Sequence, residues 1–237
     1  MKVKTILKTL VSEIHTIIHK NDAKVFCISI QRTGTTSVGK FLQDFGYRWA
    51  GWDADKKNKW SLSLYNGDYE SIFSSSDFIE ANAYEDSPWF FPNFYKVLYH
   101  RFPNAKFIFF TRDSDSWYKS MVKHSGGDVL GRAKIHSKIY RRELEYFDLL
   151  ASGEIDEKNE NEIDNRKKMK LTNQAEHYKN IYKLHTIEVK NFFNEFAPDS
   201  LYIGNLEDPD KWQKLGNFLN IKVSENYDSH ENISKIV

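Results

Sequence analysis

Apolar residues fall into two patterns along the chain, short unbroken runs and stretches in which they recur every three or four positions. The first run, Val25 to Ile30, predicts a strand; a polar turn follows, and then Val38, Phe41, Leu42 and Phe45 at helical spacing, with Gly46 as the stop. Tyr47 to Ala50 predicts a second extended segment, and Ser76 to Ala81, centred on Phe78 and Ile79, a third. Pro88 and Pro92 open a helix carrying Phe94, Val97, Leu98 and Arg101, which Pro103 closes. Lys106 to Thr111 has the strongest strand character, and Ser114 is placed to cap the helix after it. A long helix is predicted from Asn173 to Phe196, with Tyr178, Ile181, Tyr182, His185, Val189, Phe192 and Phe196 on one broad face. Leu201 to Ile203 gives a last strand, and Asp208-Pro209 starts a final helix through Trp212, Leu215 and Leu219. Strands that are apolar throughout and alternate with helices imply an α/β fold, with a parallel sheet of about five strands flanked by helices on both faces.

Two segments depart from this rhythm. Val3, Ile6, Leu7, Leu10, Val11, Ile14, Ile17 and Ile18 form one stripe, which predicts an amphipathic helix over residues 1–22 ahead of a single domain at 23–237. That stripe is expected to pack on its own domain; a second copy, another partner or a membrane surface are the other surfaces it suits. Residues 153–172 carry six acids from Glu154 to Asp164, then Arg166, Lys167, Lys168 and Lys170, with Glu154–Lys158, Glu162–Arg166 and Asp164–Lys168 at favourable helical spacing. A charged surface insertion is expected there.

Composition narrows the function classes. Of 237 residues, 34 are Lys or Arg and 33 Asp or Glu, a formal charge of +1, so no global field recruits nucleic acid and any anion site is local. An apolar share of 40% and an aromatic share of 15% exclude a disordered chain. Cys27 is the single cysteine, which rules out an internal disulfide and points to a reducing, cytoplasmic setting. No Cys/His spacing reads as a zinc site, and no stretch approaches the roughly 20 apolar residues of a membrane helix.

The chemistry starts after the first strand, where Ser29-Ile30-Gln31-Arg32-Thr33-Gly34-Thr35-Thr36-Ser37 runs directly into a helix. A strand, a polar loop with glycine and hydroxyls, and a helix N-terminus bring backbone N–H groups together for an anion, the arrangement of a P-loop-type sheet. Against the nucleotide-triphosphatase pattern G-x-x-x-x-G-K-[ST], Ser29 replaces the first glycine and Thr35 the lysine. Without that lysine, ATP- or GTP-driven phosphoryl transfer is disfavoured, while Arg32 returns a cation at the loop apex.

Arg32-Thr-Gly-Thr-Thr-Ser37 resembles the 5′-phosphosulfate loop of sulfotransferases that use 3′-phosphoadenosine 5′-phosphosulfate (PAPS). A second motif accompanies it: Phe-Ile-Phe-Phe-Thr111-Arg112, with Ser120 eight residues beyond the arginine, resembles that family's pair on the donor's 3′-phosphate. Phe102-Pro-Asn-Ala-Lys-Phe-Ile108, Trp117, Tyr182-x-x-His185-x-x-x-Val189 and Trp212-x-x-Leu215-x-x-Phe218-Leu219 are similar to a prokaryote-rich branch, so that the resemblance spans about residues 24–232. Gln31 stands where proline is usual and Ser29 where glycine is usual, and residues 153–170 match poorly.

The resemblance implies a PAPS-dependent sulfotransferase acting on a small-molecule or glycan hydroxyl, with desulfated 3′-phosphoadenosine 5′-phosphate (PAP) as product and no metal. Gln31, Arg32, Thr33, Gly34, Thr35, Thr36 and Ser37 would hold the phosphosulfate, and Arg112 with Ser120 the 3′-phosphate. Arg32 would also take up developing charge. Related proteins carry an acid just before Pro88, which points to Asp86 as the base; Glu80 and Glu85 remain alternatives, and His124 and His185 are weaker ones. Trp49, Trp52, Trp60, Trp89, Phe90 and Phe91 fall in segments expected around the acceptor, and His230 and Asn232 match a position near the donor. A degenerate member that only binds nucleotide or a partner, and a small-molecule P-loop kinase, stand as alternatives.

Overall fold

The computed structural model describes residues 23–157 and 162–229. Five strands, β1 (Val25–Cys27), β2 (Trp49–Ala50), β3 (Ala83–Tyr84), β4 (Lys106–Thr111) and β5 (Leu201–Asn205), lie in the order β2-β3-β1-β4-β5, every neighbouring pair parallel. From β1 the chain passes to the outer strand β2, returns inward to β3, and then crosses to β4 and β5 on the other side. The C-terminal end of β1 is therefore where the strand order reverses, the place where a parallel sheet opens a crevice for ligands.

Side chains alternate between the two faces, which explains why the strand runs are apolar without interruption. Val25, Cys27, Ala83, Ile108 and Phe110 pack on one face against Val38, Phe41 and Leu42 of α1 (Thr35–Asp44) and Trp212 and Leu215 of α12 (Lys211–Leu219). Phe26, Ile28, Tyr84, Phe107 and Phe109 pack on the other, against Trp117 and Met121 of α7 (Ser114–Ser125) and Tyr178, Tyr182, Val189 and Phe193 of α11 (Ala175–Phe196). Stacked rings join neighbours within each layer, Phe41 on Trp212 at 5.4 Å between two helices and Phe26 on Tyr84 at 4.8 Å between two strands. Burying each such side chain contributes about 1.5–3 kcal/mol.

Between β2 and β3 the chain forms α2 (Trp52–Asn58), α3 (Trp60–Tyr65), α4 (Tyr69–Phe73) and α5 (Ser76–Glu80). The strand expected over Ser76 to Ala81 is thus helix α5, and pairing is confined to Ala83 and Tyr84. Adjacent Phe78 and Ile79 suit either element; what decides is the helix terminus. Lys24 Nζ donates to the carbonyls of Phe78 (3.3 Å) and Ala81 (3.0 Å), satisfying acceptors that an ending helix leaves free. The cap of α7 also differs from expectation. Asp113, not Ser114, accepts from the Ser116 amide at 2.9 Å.

Beyond β3 come α6 (Phe94–Arg101) and, after α7, α8 (Ala133–Ile139), α9 (Glu143–Ala151) and α10 (Glu162–Lys168). The charged stretch at 153–172 is more than a solvated face, because Ile155, Asn165, Met169 and Leu171 are buried. Its strand-like end crosses the turn after α7, with an antiparallel bridge between Asp128 and Lys170 and a bond from the Leu171 amide to the Gly127 carbonyl at 2.8 Å. Asp164 pairs with Lys167 rather than Lys168, which instead reaches Glu154 at 3.9 Å. The expected helix over residues 1–22, and His230 and Asn232, lie outside the described residues. Among the described residues no helix is long and apolar enough to cross a membrane.

The anchoring of 153–172 predicts that Leu171→Ala costs about 2–5 kcal/mol of unfolding free energy, whereas Lys167→Ala, on an exposed ion pair, changes it by less than about 0.5 kcal/mol. Urea denaturation of the two variants checks this; equal midpoints would show the segment to be loosely attached.

Candidate active site

The loop after β1 is braced at every residue. Ser29 is fully buried, and its Oγ accepts from the Phe110 amide at 2.7 Å while the Cys27 thiol lies 3.3 Å away, so the serine extends the β1–β4 junction beyond the last backbone pair. This explains a hydroxyl where glycine was expected: the side chain does ladder work. Thr33 Oγ1 donates to the Ile30 carbonyl at 2.6 Å and closes the turn from inside. Gly34 has φ +85°, a backbone conformation that favours glycine, and a Cβ there would also displace the end of the Leu206 side chain, 2.5 Å away at Cδ1. Gln31, half-buried, donates to Tyr140 Oη at 2.8 Å, and its carbonyl accepts from Trp117 Nε1 at 2.9 Å. The loop leads into α1, whose first N–H groups have no intrahelical acceptor. Thr35 and Ser37 are buried and Thr36 half-buried at that helix start.

Two arginines converge over this loop. Arg32 takes φ +69°, uncommon for a residue with a side chain, and its Nε donates to Ser120 Oγ at 3.2 Å. Arg112, at the end of β4, reaches back so that Nη1 donates to the Arg32 carbonyl at 3.4 Å. Its own backbone is clamped by Tyr182, whose hydroxyl accepts from the Arg112 N–H (3.0 Å) and donates to the Arg112 carbonyl (3.1 Å). Tyr182 stacks on Trp117 at 4.6 Å, so α7 and α11 position the arginine together. Among the described residues neither guanidinium forms an ion pair, and Arg112 Nε is buried without a partner. The carboxylates next to Arg112 are engaged elsewhere, Asp113 as the α7 cap and Asp115 with Lys179 at 2.9 Å. Burial, and then the like charge of Arg112, lower the pKa of Arg32, while Asp86 opposes them. The structure thus brings Arg32, Arg112 and Ser120 to one point.

The acids separate. Asp86 follows β3 at the same edge of the sheet, with φ +65°, and is bonded to Ser87. Burial raises its pKa first and the nearby Asp55 carboxylate adds to this, whereas Ser87 and Arg32 pull it down. Glu85, one residue earlier, is buried; Thr35 and Trp49 donate to it, and its pKa is raised by burial and then by Asp86. Glu80 is not part of this group. It ends α5 ahead of β3, at the opposite edge of the sheet, in a groove shared with Arg48, Lys57 and Asp77 along the outer strand. Its assignment as a base does not fit the parallel topology, because residues before a strand and residues after it lie at opposite edges.

The histidines and aromatics sort by burial. His185 is buried in the core beneath the loop, bonded to the Ile28 backbone and pushed down to about 4 by desolvation. His136 is likewise buried, pushed down to about 3, and bonded to Tyr178 Oη at 2.8 Å. His124 is exposed yet close enough to Arg32 and Arg166 for their charges to lower its pKa, after burial. Of the six aromatics expected near the acceptor, Trp60, Trp89, Phe90 and Phe91 are core residues, and only Trp49 and Trp52 are substantially exposed. No sequence pattern announces the Tyr182 clamp, the Trp117 and Tyr140 bonds to Gln31, or the junction of Glu85 with Thr35. Each partner was visible as an aromatic or an acid, but the pairings span up to 109 residues.

The structure is thus that of an α/β protein whose parallel sheet carries a hydroxyl-rich loop at its switch point, with two arginines that form no ion pair among the described residues. A family model described as "Sulfotransferase domain" matches residues 24–235, and the chain belongs to that family. No curated protein matches. A solved structure, "Crystal Structure of Sulfotransferase from Alicyclobacillus acidocaldarius", is similar at 15% identity and a TM-score of 0.46, covering 90% of this chain and 87% of that one.

The buried groups predict opposing pH effects on stability. Glu85 and Asp86 bind a proton more tightly in the folded chain, so their contribution is fully present below the ordinary carboxylate pKa near 4 and is lost as pH rises through their raised values. His136 and His185 contribute most above the ordinary imidazole value near 6.5, and that contribution is lost as pH falls. Between about pH 4 and 8, the melting temperature of Glu85→Gln relative to wild type should therefore rise with pH. A pH-independent difference between the two would contradict the assignment.

Proposed function

We propose that this sulfotransferase uses PAPS as donor and passes its sulfuryl group to an acceptor hydroxyl on a saccharide or small metabolite. The observation that carries this reading is the convergence of Arg32, Arg112 and Ser120 at the loop, with a buried guanidinium N–H left unpartnered. Two adjacent guanidinium groups that form no ion pair among the described residues favour a multiply charged anion such as a phosphate. Thr35 stands where a phosphoryl-transfer loop has its lysine, and its hydroxyl is already bonded to Glu85.

In the proposed mechanism, Arg112 and Ser120 bind the donor's 3′-phosphate. Arg32 and the first N–H groups of α1 hold the phosphosulfate and take up the charge that gathers on the leaving phosphate. Asp86 lies at the same edge of the sheet within the field of Arg32, where it can accept the acceptor's proton while the new oxygen–sulfur bond forms and the bond to the phosphate oxygen breaks. Ionised Asp86 is the active form, so the rate should fall as pH drops through its raised pKa.

Two outcomes are expected. PAP at 100 times its dissociation constant should stabilise the protein by about 2.7 kcal/mol, seen as a higher melting temperature, with no such shift from Mg·ATP. Arg112→Ala should weaken PAP binding at least 30-fold, about 2 kcal/mol, with the fold intact. Stabilisation by Mg·ATP alone would redirect the reading to a kinase. Asp86→Asn should leave PAP binding in place and lower kcat by about 10²–10⁴; an active Asp86→Asn enzyme would remove Asp86 as the base.

A further inference from the structure

Glu85 is the buried acid that this mechanism leaves without a role. It is 2% exposed, yet among the described residues no positive charge acts on it: its neighbours are the Thr35 hydroxyl on α1, the Trp49 indole on β2, the Cys27 thiol on β1 and the Asp86 carboxyl beside it. The surroundings are shaped to admit it. A Cβ at Gly39 would lie 2.9 Å from Glu85 Cγ and 2.6 Å from Trp49 Nε1, and one at Gly51 would lie 2.4 Å from Glu85 Oε1. Helix α1 and the turn after β2 thus both give up a side chain to seat one carboxyl and one indole. Both hydrogen bonds are donated to Glu85, and Oε2 has no partner among the described residues.

We propose that Glu85 is a positioning residue, resting on the sulfuryl-transfer reading above: its carboxyl fixes the Thr35 hydroxyl and so sets the start of α1, joining the donor loop to the turn that carries Asp86. Burying an unpaired carboxylate is costly, and this site offers two neutral donors and no cation, so Glu85 stays protonated. Asp86 has the Ser87 bonds and the field of Arg32, and of the two it carries the charge. A neutral Glu85 is what allows its neighbour to ionise, since two adjacent buried carboxylates repel. The groups facing Glu85 from α1, β1, β2 and its own turn are Thr35, Cys27, Trp49 and Asp86; the thiol is held neutral by burial, which leaves Asp86 as the single ionised neighbour.

The test compares Glu85→Ala, Glu85→Gln, Thr35→Val, Thr35→Ser and the double variant Glu85→Ala/Thr35→Val. PAP affinity is read by calorimetry and order at the loop by hydrogen exchange of the amides of residues 33–36. Glu85→Ala and Thr35→Val should each weaken PAP about tenfold and speed exchange in the loop. The double variant should be no worse than either single one, because both remove the same interaction. Glu85→Gln, a neutral side chain of the same shape, and Thr35→Ser, which keeps the hydroxyl, should restore affinity to within about threefold of wild type. Losses that multiply to about a hundredfold, or Glu85→Gln as weak as Glu85→Ala, would overturn the role. Should Glu85→Ala not fold, Thr35→Val against Thr35→Ser decides alone, and equal affinities would overturn it. If wild type does not bind PAP, the donor reading falls, while the exchange comparison still judges Glu85.

Discussion

Two guanidinium groups held over one loop without a carboxylate between them are the constraint around which this molecule is organised. Like charges repel, and after burial the charge of Arg112 lowers the pKa of Arg32, so the arrangement must be imposed by the rest of the fold. Arg112 has little freedom to leave, since Tyr182 holds both its N–H and its carbonyl and Trp117 backs Tyr182. Arg32 is held by a left-handed backbone and by Ser120. On the proposed reading, stability is given up here to keep an anion site ready, and the large aromatic layers on both faces of the sheet supply the surplus that makes this tolerable.

The loop shows how a departure from an expected motif can be absorbed. Ser29 in place of glycine does not distort the turn, because its hydroxyl takes the Phe110 amide at the point where β1 stops pairing. Gln31 in place of proline gives up a fixed φ but gains a side-chain anchor, its amide on Tyr140, beside the bond that its carbonyl accepts from Trp117. Side-chain hydrogen bonds to distant elements thus replace local backbone rigidity. The consequence is that loop geometry depends on the packing of α7 and α8, which brings Trp117 and Tyr140 to it, so core variants there are felt at the site.

Much of this was legible in the sequence, for identifiable reasons. The strands at Val25 and Lys106, helix α11 and the two anion motifs are local patterns, the longest of them the 22 residues of α11, and the fold and family followed from them. Ser76 to Ala81 was misread because two adjacent apolar residues fit either period and the deciding contact, Lys24 on the ends of α5, comes from more than fifty residues away. Glu80 failed for the same reason. Once β3 shrinks to Ala83 and Tyr84, Glu80 lies before the strand and Asp86 after it, and a parallel sheet puts those two positions at opposite edges. The anchoring of 153–172 was hidden because Ile155, Met169 and Leu171 are too sparse to form a period, although each is buried.

The charge distribution completes the logic of the site. The cations sit on the loop and at the end of β4, where the proposed donor's phosphates would lie, and the acids follow β3 at the same edge of the sheet. If both acids were ionised they would partly cancel the field that the arginines create, and the anion site would weaken. Keeping one of them uncharged solves this without removing a base from the acceptor side. The protein achieves it by geometry: Glu85 points into the sheet beneath α1, where only neutral donors meet it, whereas Asp86 turns through a left-handed backbone into the field of Arg32. On the proposed reading, adjacent acids in sequence thereby serve different ends, one as part of the frame and the other as part of the chemistry.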